Sequence, residues 1–430
     1  MQKNLFQKIC DFSGLKNNPF YSKELKGPWL ELFVNRKDEL EETEWFIASG
    51  RTVAICSKQG IGKSSFLSYM NERVLPETDL LSAKFNFDFE KVEGNEFMIF
   101  LRKILRELLF LFAKHKDDYP ALQNIDFEFE SARLEKTITL EENIKRNFGG
   151  KIGIEADFNK VAKLFHPVLV NNGGLPKVSA GLGGDGGRES KTITQIPIHN
   201  NETVKDKIIE LGKLYDGPVV FFIDELDKTG KLFQDSFEWS KEIYKLLRHC
   251  REIFETSNFI FVFSLDYVFY EKMIEANREG KNIDILGIIE KFVNLDPFTL
   301  KEFEAALIKR FEFAEAENPQ QFFDKGKIKL LYSFTMGNSR LFMSWYEDIL
   351  YQSYRKKNKN INYNSFFDIF EKKLGYDFSK NIRKFLIELA ENESAKLHTV
   401  TKEDMKIFID SKYIIEDNGI YILNSYKKAY

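Results

Sequence analysis

The chain has 430 residues, 43% hydrophobic and 30% charged, a globular composition that excludes a disordered, collagen-like or coiled-coil chain and makes two to three domains at about 100–200 residues each. Its 63 Lys and Arg nearly balance 66 Asp and Glu, a formal charge of −3; that excludes a surface coated by nucleic acid and leaves room only for a local basic patch. Three widely separated cysteines, Cys10, Cys56 and Cys250, form neither a disulfide framework nor a zinc knuckle and point to a reducing compartment.

In chain order, the first residues lack the apolar stretch of a signal peptide. The strongest apolar runs, Leu108–Ala113 and Val219–Ile223, fall far short of the ~18 residues a membrane helix needs. A cytoplasmic chain with no membrane segment is expected. Arg51–Ser57 reads as a short buried strand. It runs into Lys58-Gln59-Gly60-Ile61-Gly62-Lys63-Ser64, after which Phe66, Met70 and Val74 recur at helical spacing. Strand, glycine loop and helix is the order of a phosphate-binding unit.

A strand-like Ala83–Phe89 and an apolar helix around Phe97–Ala113 follow, in which Phe97, Phe100, Ile104, Leu108 and Leu109 bury one face. Residues 117–202 then read as an insertion: 10 of the chain's 25 glycines lie between 149 and 187. Lys151–Phe158 and Lys177–Leu182 alternate as edge strands do. An amphipathic helix through Val204, Ile208 and Leu211 ends at Gly217-Pro218. Val219–Ile223 is continuously apolar, as is Asn258–Ser264, which indicates strands covered on both faces of a parallel sheet; the body is α/β. From Pro297 to about Tyr354 the chain reads as helical, and Arg355–Lys359 as a basic linker. The tail reads as helices at Phe366–Leu374, Ile382–Leu389 and Lys402–Ile409, then a hairpin whose arms flank Asp417-Asn418-Gly419. Three helices and a hairpin predict a winged helix.

The Lys58–Ser64 loop has the Gly-Lys-Ser core of a Walker A motif. Gly60 and Gly62 let backbone N–H groups approach phosphate, Lys63 neutralises β/γ charge, and the Ser64 hydroxyl ligates Mg²⁺. Ser57 stands where the motif has its first glycine. Asp224 and Glu225 close the second buried strand, where one carboxylate holds Mg²⁺ and the next activates water. Parallel strands of one sheet bring both motifs to the same carboxyl edge. The five histidines (His115, His166, His199, His249, His398) show no metal spacing.

This set resembles the additional-strand, catalytic-glutamate (ASCE) P-loop NTPases, with a three-layer parallel sheet, and within them the AAA+ class. It is most similar to origin-recognition and archaeal initiator-type ATPases and their signal-transducing STAND cousins. Asn18-Pro19-Phe20, followed by Phe33-Val34-Asn35-Arg36-Lys37-Asp38-Glu39-Leu40, resembles the box that lies along the adenine in those families, with Asn35 in place of a glycine. Ser264-Leu265-Asp266 resembles sensor 1, and Gly337-Asn338-Ser339-Arg340 resembles sensor 2.

The resemblance implies ATP and Mg as ligands. Ser57, Lys58, Gln59, Gly60, Ile61, Gly62, Lys63, Ser64 and Ser65 would line the nucleotide, with Phe33, Val34 and Arg36 on its adenine side. Ser64 and Asp224 would hold the metal, Glu225 would activate water, Asp266 or Ser264 would sense the γ-phosphate, and Arg340 would couple it to a helical lid. It further implies an adenine-side segment at 1–50, a core at 51–297, a lid at 298–354 and a winged helix at 360–430.

Where such ATPases carry an arginine finger this chain has Glu290-Lys291-Phe292, which lacks arginine's bidentate fork; Lys291, Arg278 and Arg310 are the candidates. The resemblance therefore implies slow hydrolysis, self-association and control of a protein effector in defence or signalling. An initiator-like DNA-binding ATPase and a non-hydrolysing ATP-bound scaffold are the alternatives. From Arg355 onward there are 15 Lys and Arg against 11 Asp and Glu, but the third helix carries Glu403, Asp404 and Asp410 beside Lys402 and Lys406, and phosphate repulsion there opposes DNA contact.

Overall fold

A computed structural model describes residues 5–134 and 201–423, apart from 17–18, 21–22, 79, 88–95, 124, 128–129, 132–133, 227–235, 257, 280–286, 317–323, 359–360, 393, 397–399 and 418–419. The expected edge strands Lys151–Phe158 and Lys177–Leu182, and most of the 117–202 insertion with them, lie outside the described residues.

The α/β reading holds. Five strands, β1 (Val53–Ser57), β2 (Leu81–Asn86), β3 (Val219–Asp224), β4 (Phe259–Asp266) and β5 (Lys291–Asn294), form one parallel sheet in the order β2-β3-β4-β1-β5. β1 and β3 are buried at every position, which is why their sequences are apolar without alternation. By compactness the chain divides into two units, Met1–Asp79 with Val262–Tyr430, and Leu80–Phe261; β4 contributes to both.

In the first unit, α1 (Leu5–Phe12) and α2 (Lys37–Ala48) precede β1, and α3 (Lys63–Tyr69) follows it. β1 pairs in parallel with β4 from Val53↔Val262 to Ser57↔Asp266 and with β5 from Val53↔Lys291 to Cys56↔Asn294. Beyond β5 come α8 (Leu300–Phe313), α9 (Lys325–Thr335) and α10 (Ser339–Arg355), the helices of the stretch 298–354 that the sequence reading calls a lid; α7 (Tyr267–Arg278) lies before β5. Each lid helix starts on a side-chain cap: Thr299 with Glu302 in a capping box, Asp324, and Asn338. The tail forms α11 (Tyr363–Leu374), α12 (Lys380–Glu391) and α13 (Lys402–Asp410), with an antiparallel sheet β6-β8-β7 from Ala395–Lys396, Ile420–Leu423 and Ile414–Asp417. One apolar cluster runs from Ile9 and Phe20 through Phe303, Tyr332 and Tyr346 to Phe370, Phe385 and Phe408. The lid and tail helices therefore share a core.

In the second unit, β2 pairs with β3 from Leu81↔Val219 to Asn86↔Asp224. The strand starts two residues before the expected Ala83, with Leu81, Ala83 and Phe85 buried and Ser82 and Lys84 partly exposed between them; residues 88–89 of the expected strand lie outside the described residues. Helix α4 (Glu96–Lys114) buries Phe100, Ile104, Leu108 and Leu109 as its spacing predicts, while Phe97, expected on the same face, is partly exposed. It packs on α5 (Asn201–Leu214) and on α6 (Ser236–His249).

Candidate functional site

The first unit holds the glycine loop. β1 delivers the chain into a turn in which Gly60 and Gly62 take φ values of +87° and +115°, a region that costs glycine nothing and other residues strain. Ser57, in place of the motif's first glycine, ends a strand, is buried, and is not among the positive-φ residues. A side chain is tolerated there for that reason. Its hydroxyl donates to the Lys58 carbonyl at 3.0 Å. The Lys63 ammonium donates to the Ser57 carbonyl at 2.8 Å, folding across the loop. Gly62 opens α3 without a side-chain cap, and the helical path continues through Met70–Val74. The N–H groups of its first turn are thus presented to an acceptor. The Ser65 hydroxyl accepts from the Leu25 N–H at 3.0 Å, tying the helix to the segment before α2.

The cap of α10 closes on this loop. Asn338 donates from Nδ2 to the Gln59 carbonyl at 2.9 Å, while its Oδ1 caps Leu341 N–H; Ser339 donates to the Gly60 carbonyl at 3.1 Å. A Cβ on Gly60 would stand 2.6 Å from the Asn338 Oδ1. Arg340, one residue on, is exposed. Asn338 and Ser339, read from sequence only as flanks of that arginine, are the lid residues that touch the loop.

At the C-terminal end of α3, Phe33 stacks on Tyr69 with ring centroids 4.3 Å apart. A cavity of about 540 Å³ opens there, lined by Phe33, Val34, Asn35 and Tyr69 and by Ile308 and Glu312 of α8. Asn35 and Arg36 both take left-handed backbones, φ 62° and 71°, a region that asparagine tolerates better than most non-glycine residues. Its Nδ2 donates to the Glu302 carbonyl at 3.1 Å. Arg36 is not among the residues lining the cavity. Its guanidinium is buried against Glu39 at 2.8 Å, donates to the Asp296 carbonyl, and lies 4.6 Å over the Phe298 ring. It anchors the box to the chain after β5.

Register places Ser264 opposite Ile55, and Asp266 opposite Ser57 at the end of β1. Asp266 Oδ1 accepts the Val268 N–H at 2.9 Å and so opens α7. Of the finger candidates, Arg310 is 8% exposed and donates to the Pro19 carbonyl at 2.9 Å, and burial pulls its pKa down to about 10. It is a core tie and cannot reach another subunit. Lys291 lies 5.4 Å over the Phe46 ring, and Arg278 is exposed at the end of α7.

The second unit holds the acidic strand end. Asp224 is 2% exposed; its Oδ1 accepts the Glu225 N–H at 2.9 Å, and its Oδ2 makes no hydrogen bond. The Lys84 ammonium, from β2, stands 3.4 Å from that oxygen. Glu225 takes φ 64°, a strained conformation for a non-glycine residue that turns the chain sharply off the strand. Lys84 escaped the sequence reading; a lysine set among Leu81, Ala83 and Phe85 is the signal. A carboxylate whose buried oxygen carries no hydrogen bond retains the lone pairs a hard divalent cation takes, so this carboxylate fits Mg²⁺. Among the described residues no group of three or more His, Cys, Asp or Glu could hold a metal ion.

No family model and no curated protein matches the chain. Solved structures give faint likenesses. The ORC2 protein of Aeropyrum pernix, solved as ADPNP-ADP complexes, aligns over 95% of this chain and 94% of that one at 10% identity and a TM-score of 0.43. A Walker-type ATPase of Pyrococcus abyssi aligns over 95% and 97% at 11% identity and 0.39, and RuvB of Thermotoga maritima over 96% and 95% at 12% identity and 0.35.

Proposed function

We propose that the chain is a Mg-dependent, ATP-binding and slowly hydrolysing switch whose nucleotide state governs self-association and engagement of a protein effector. The observation that carries it is the loop after β1: two glycines in left-handed conformations, a lysine folded across them, and an uncapped helix start. Lys63 would bind the β/γ-phosphates, and Lys58 through Ser65 would surround the triphosphate. The cavity walled by Phe33 and Val34 suits a nucleobase. Ser64 and Asp224 would hold Mg²⁺, which neutralises triphosphate charge when bound. Glu225 would orient and deprotonate the attacking water, and Asp266 or Ser264 would report the γ-phosphate.

The lid would respond through Asn338 and Ser339, with Arg340 free to swing toward phosphate. Arg278 and Lys291 remain as cationic groups that a neighbouring subunit would receive. Glu225→Gln separates the switch from a static scaffold. Turnover should fall by about a hundredfold or more while ATP affinity is retained; a wild-type chain with no turnover to lose overturns the hydrolytic reading. Sedimentation with and without ATP, in the absence of DNA, tests the assembly step, and an unchanged oligomeric state overturns it.

The DNA-binding alternative is disfavoured by one contact. Lys402, the first residue of α13, is paired with Glu416 at 2.7 Å, which partly offsets its charge on the helix expected to face phosphates.

A further inference from the structure

The turn between α11 and α12 and the exposed side of α13 enclose a groove of about 500 Å³, within the range of built ligand sites. Its floor is apolar: Phe378, Ile382 and Phe408 contribute buried rings and methyl groups. Tyr376, 47% exposed, stands at its lip, a large aromatic left in water beside a core-like surface. Its rim is acidic. Asp377, Glu403 and Asp410 are all exposed there, and among the described residues Lys406 is the one cation lining it. Asp404 adds a fourth carboxylate, held by Thr401 N–H and hydroxyl in a capping box, so its negative charge is fixed at the mouth. Lys402, the other cation on this helix, is committed to Glu416.

We propose that this groove docks a basic segment of a partner protein, with one apolar side chain seated on the Phe378–Phe408 floor and flanking lysines or arginines meeting the acidic rim. Charge complementarity decides the occupant. A phosphate backbone meets four carboxylates against one lysine and is repelled, whereas a basic peptide gains steering and register from the same charges. The apolar floor and Tyr376 supply the anchor that charge alone does not. The inference stands apart from the nucleotide site and survives or fails without it.

The test uses the full chain and three fluorescein-labelled synthetic peptides: one alternating lysine with leucine and phenylalanine, one with those apolar residues replaced by serine, and one with the lysines replaced by glutamate. The first should bind, and each replacement should weaken it by about tenfold or more. Charge reversal at the exposed positions Glu403→Lys and Asp410→Lys, or truncation by Tyr376→Ala, should do the same. Reversal at the distant exposed Glu41 should change nothing, and each variant's thermal midpoint should match the wild type. Failure of the first peptide to bind, or equal binding by the rim variants, overturns the proposal. So does a short DNA duplex that binds this face and is lost on Lys406→Glu. Self-association that Glu403→Lys abolishes assigns the groove to a second copy instead and equally overturns it.

Discussion

At the scale of single residues, Gly60 answers two demands at once. Its φ of +87° costs other residues about 1 kcal/mol or more, and a methyl group there collides with the Asn338 amide. Gly60→Ala should therefore weaken ATP binding by about tenfold or more and lower the unfolding midpoint, as read by calorimetric titration and thermal melts; wild-type affinity in this variant contradicts the cradle geometry. Asn338→Ala should cost about 1–2 kcal/mol in urea unfolding, because the same side chain caps α10 and holds the Gln59 carbonyl; an unchanged midpoint contradicts the latch.

The strand, glycine turn and helix around Gly60, Gly62 and Lys63 were legible from sequence because that order is local: β1 ends at Ser57 and α3 begins at Lys63. Asn338 was visible only as a neighbour of Arg340, since its contact depends on how the lid helices pack. Arg36 and Arg310 were read as ligand-facing or finger residues, but burial spends each guanidinium on a carbonyl of the chain itself. No local pattern announces that a cation will be buried.

Elements show the same division. The continuously apolar strands β1, β3 and β4 were readable because both their faces are covered. β2 starts two residues before its expected Ala83, and Lys84 within it is set against the acidic end of β3. Removing it leaves the Asp224 carboxylate buried without its cationic neighbour. Lys84→Met should destabilise the chain by about 1–3 kcal/mol in urea; a midpoint equal to wild type shows that the pair contributes nothing.

The lid and tail were read as separate pieces, yet Phe334 of α9 packs on Phe370 of α11 at 4.6 Å, on Tyr413 at 5.0 Å and on Phe408 of α13 at 5.9 Å. Phe334→Ala should cost about 3–5 kcal/mol, and lid and tail probes should melt together. Separate transitions in the wild type contradict a shared core. The two-residue strand at Ala395–Lys396 carries too little pattern for any sequence reading.

Over the whole molecule, the three cysteines are buried and none forms a disulfide. Burial, reinforced by Asp11 and Glu347, pushes the Cys10 thiol up to about 11, and burial raises Cys250 well above its usual value. The folded chain thus keeps protons that the unfolded chain releases above about 9. Stability from these thiols is complete below that pH and declines as pH rises toward 11. Alkylation at neutral pH should label no cysteine until the chain unfolds; rapid labelling of the native protein contradicts this burial. No helix among the described residues is long and apolar enough to cross a membrane. The α/β order of the chain was legible across the described residues. Its division into units was not, because β4 serves both and the boundary falls within a strand.

Everything functional converges on whether the lysine-bearing turn holds a triphosphate. Equilibrium titration of ATP with magnesium into the wild-type chain and into Lys63→Ala measures this directly. Saturable binding that weakens by about a hundredfold in the variant is the predicted result; equal affinity in the two proteins, or no binding by the wild type, contradicts it.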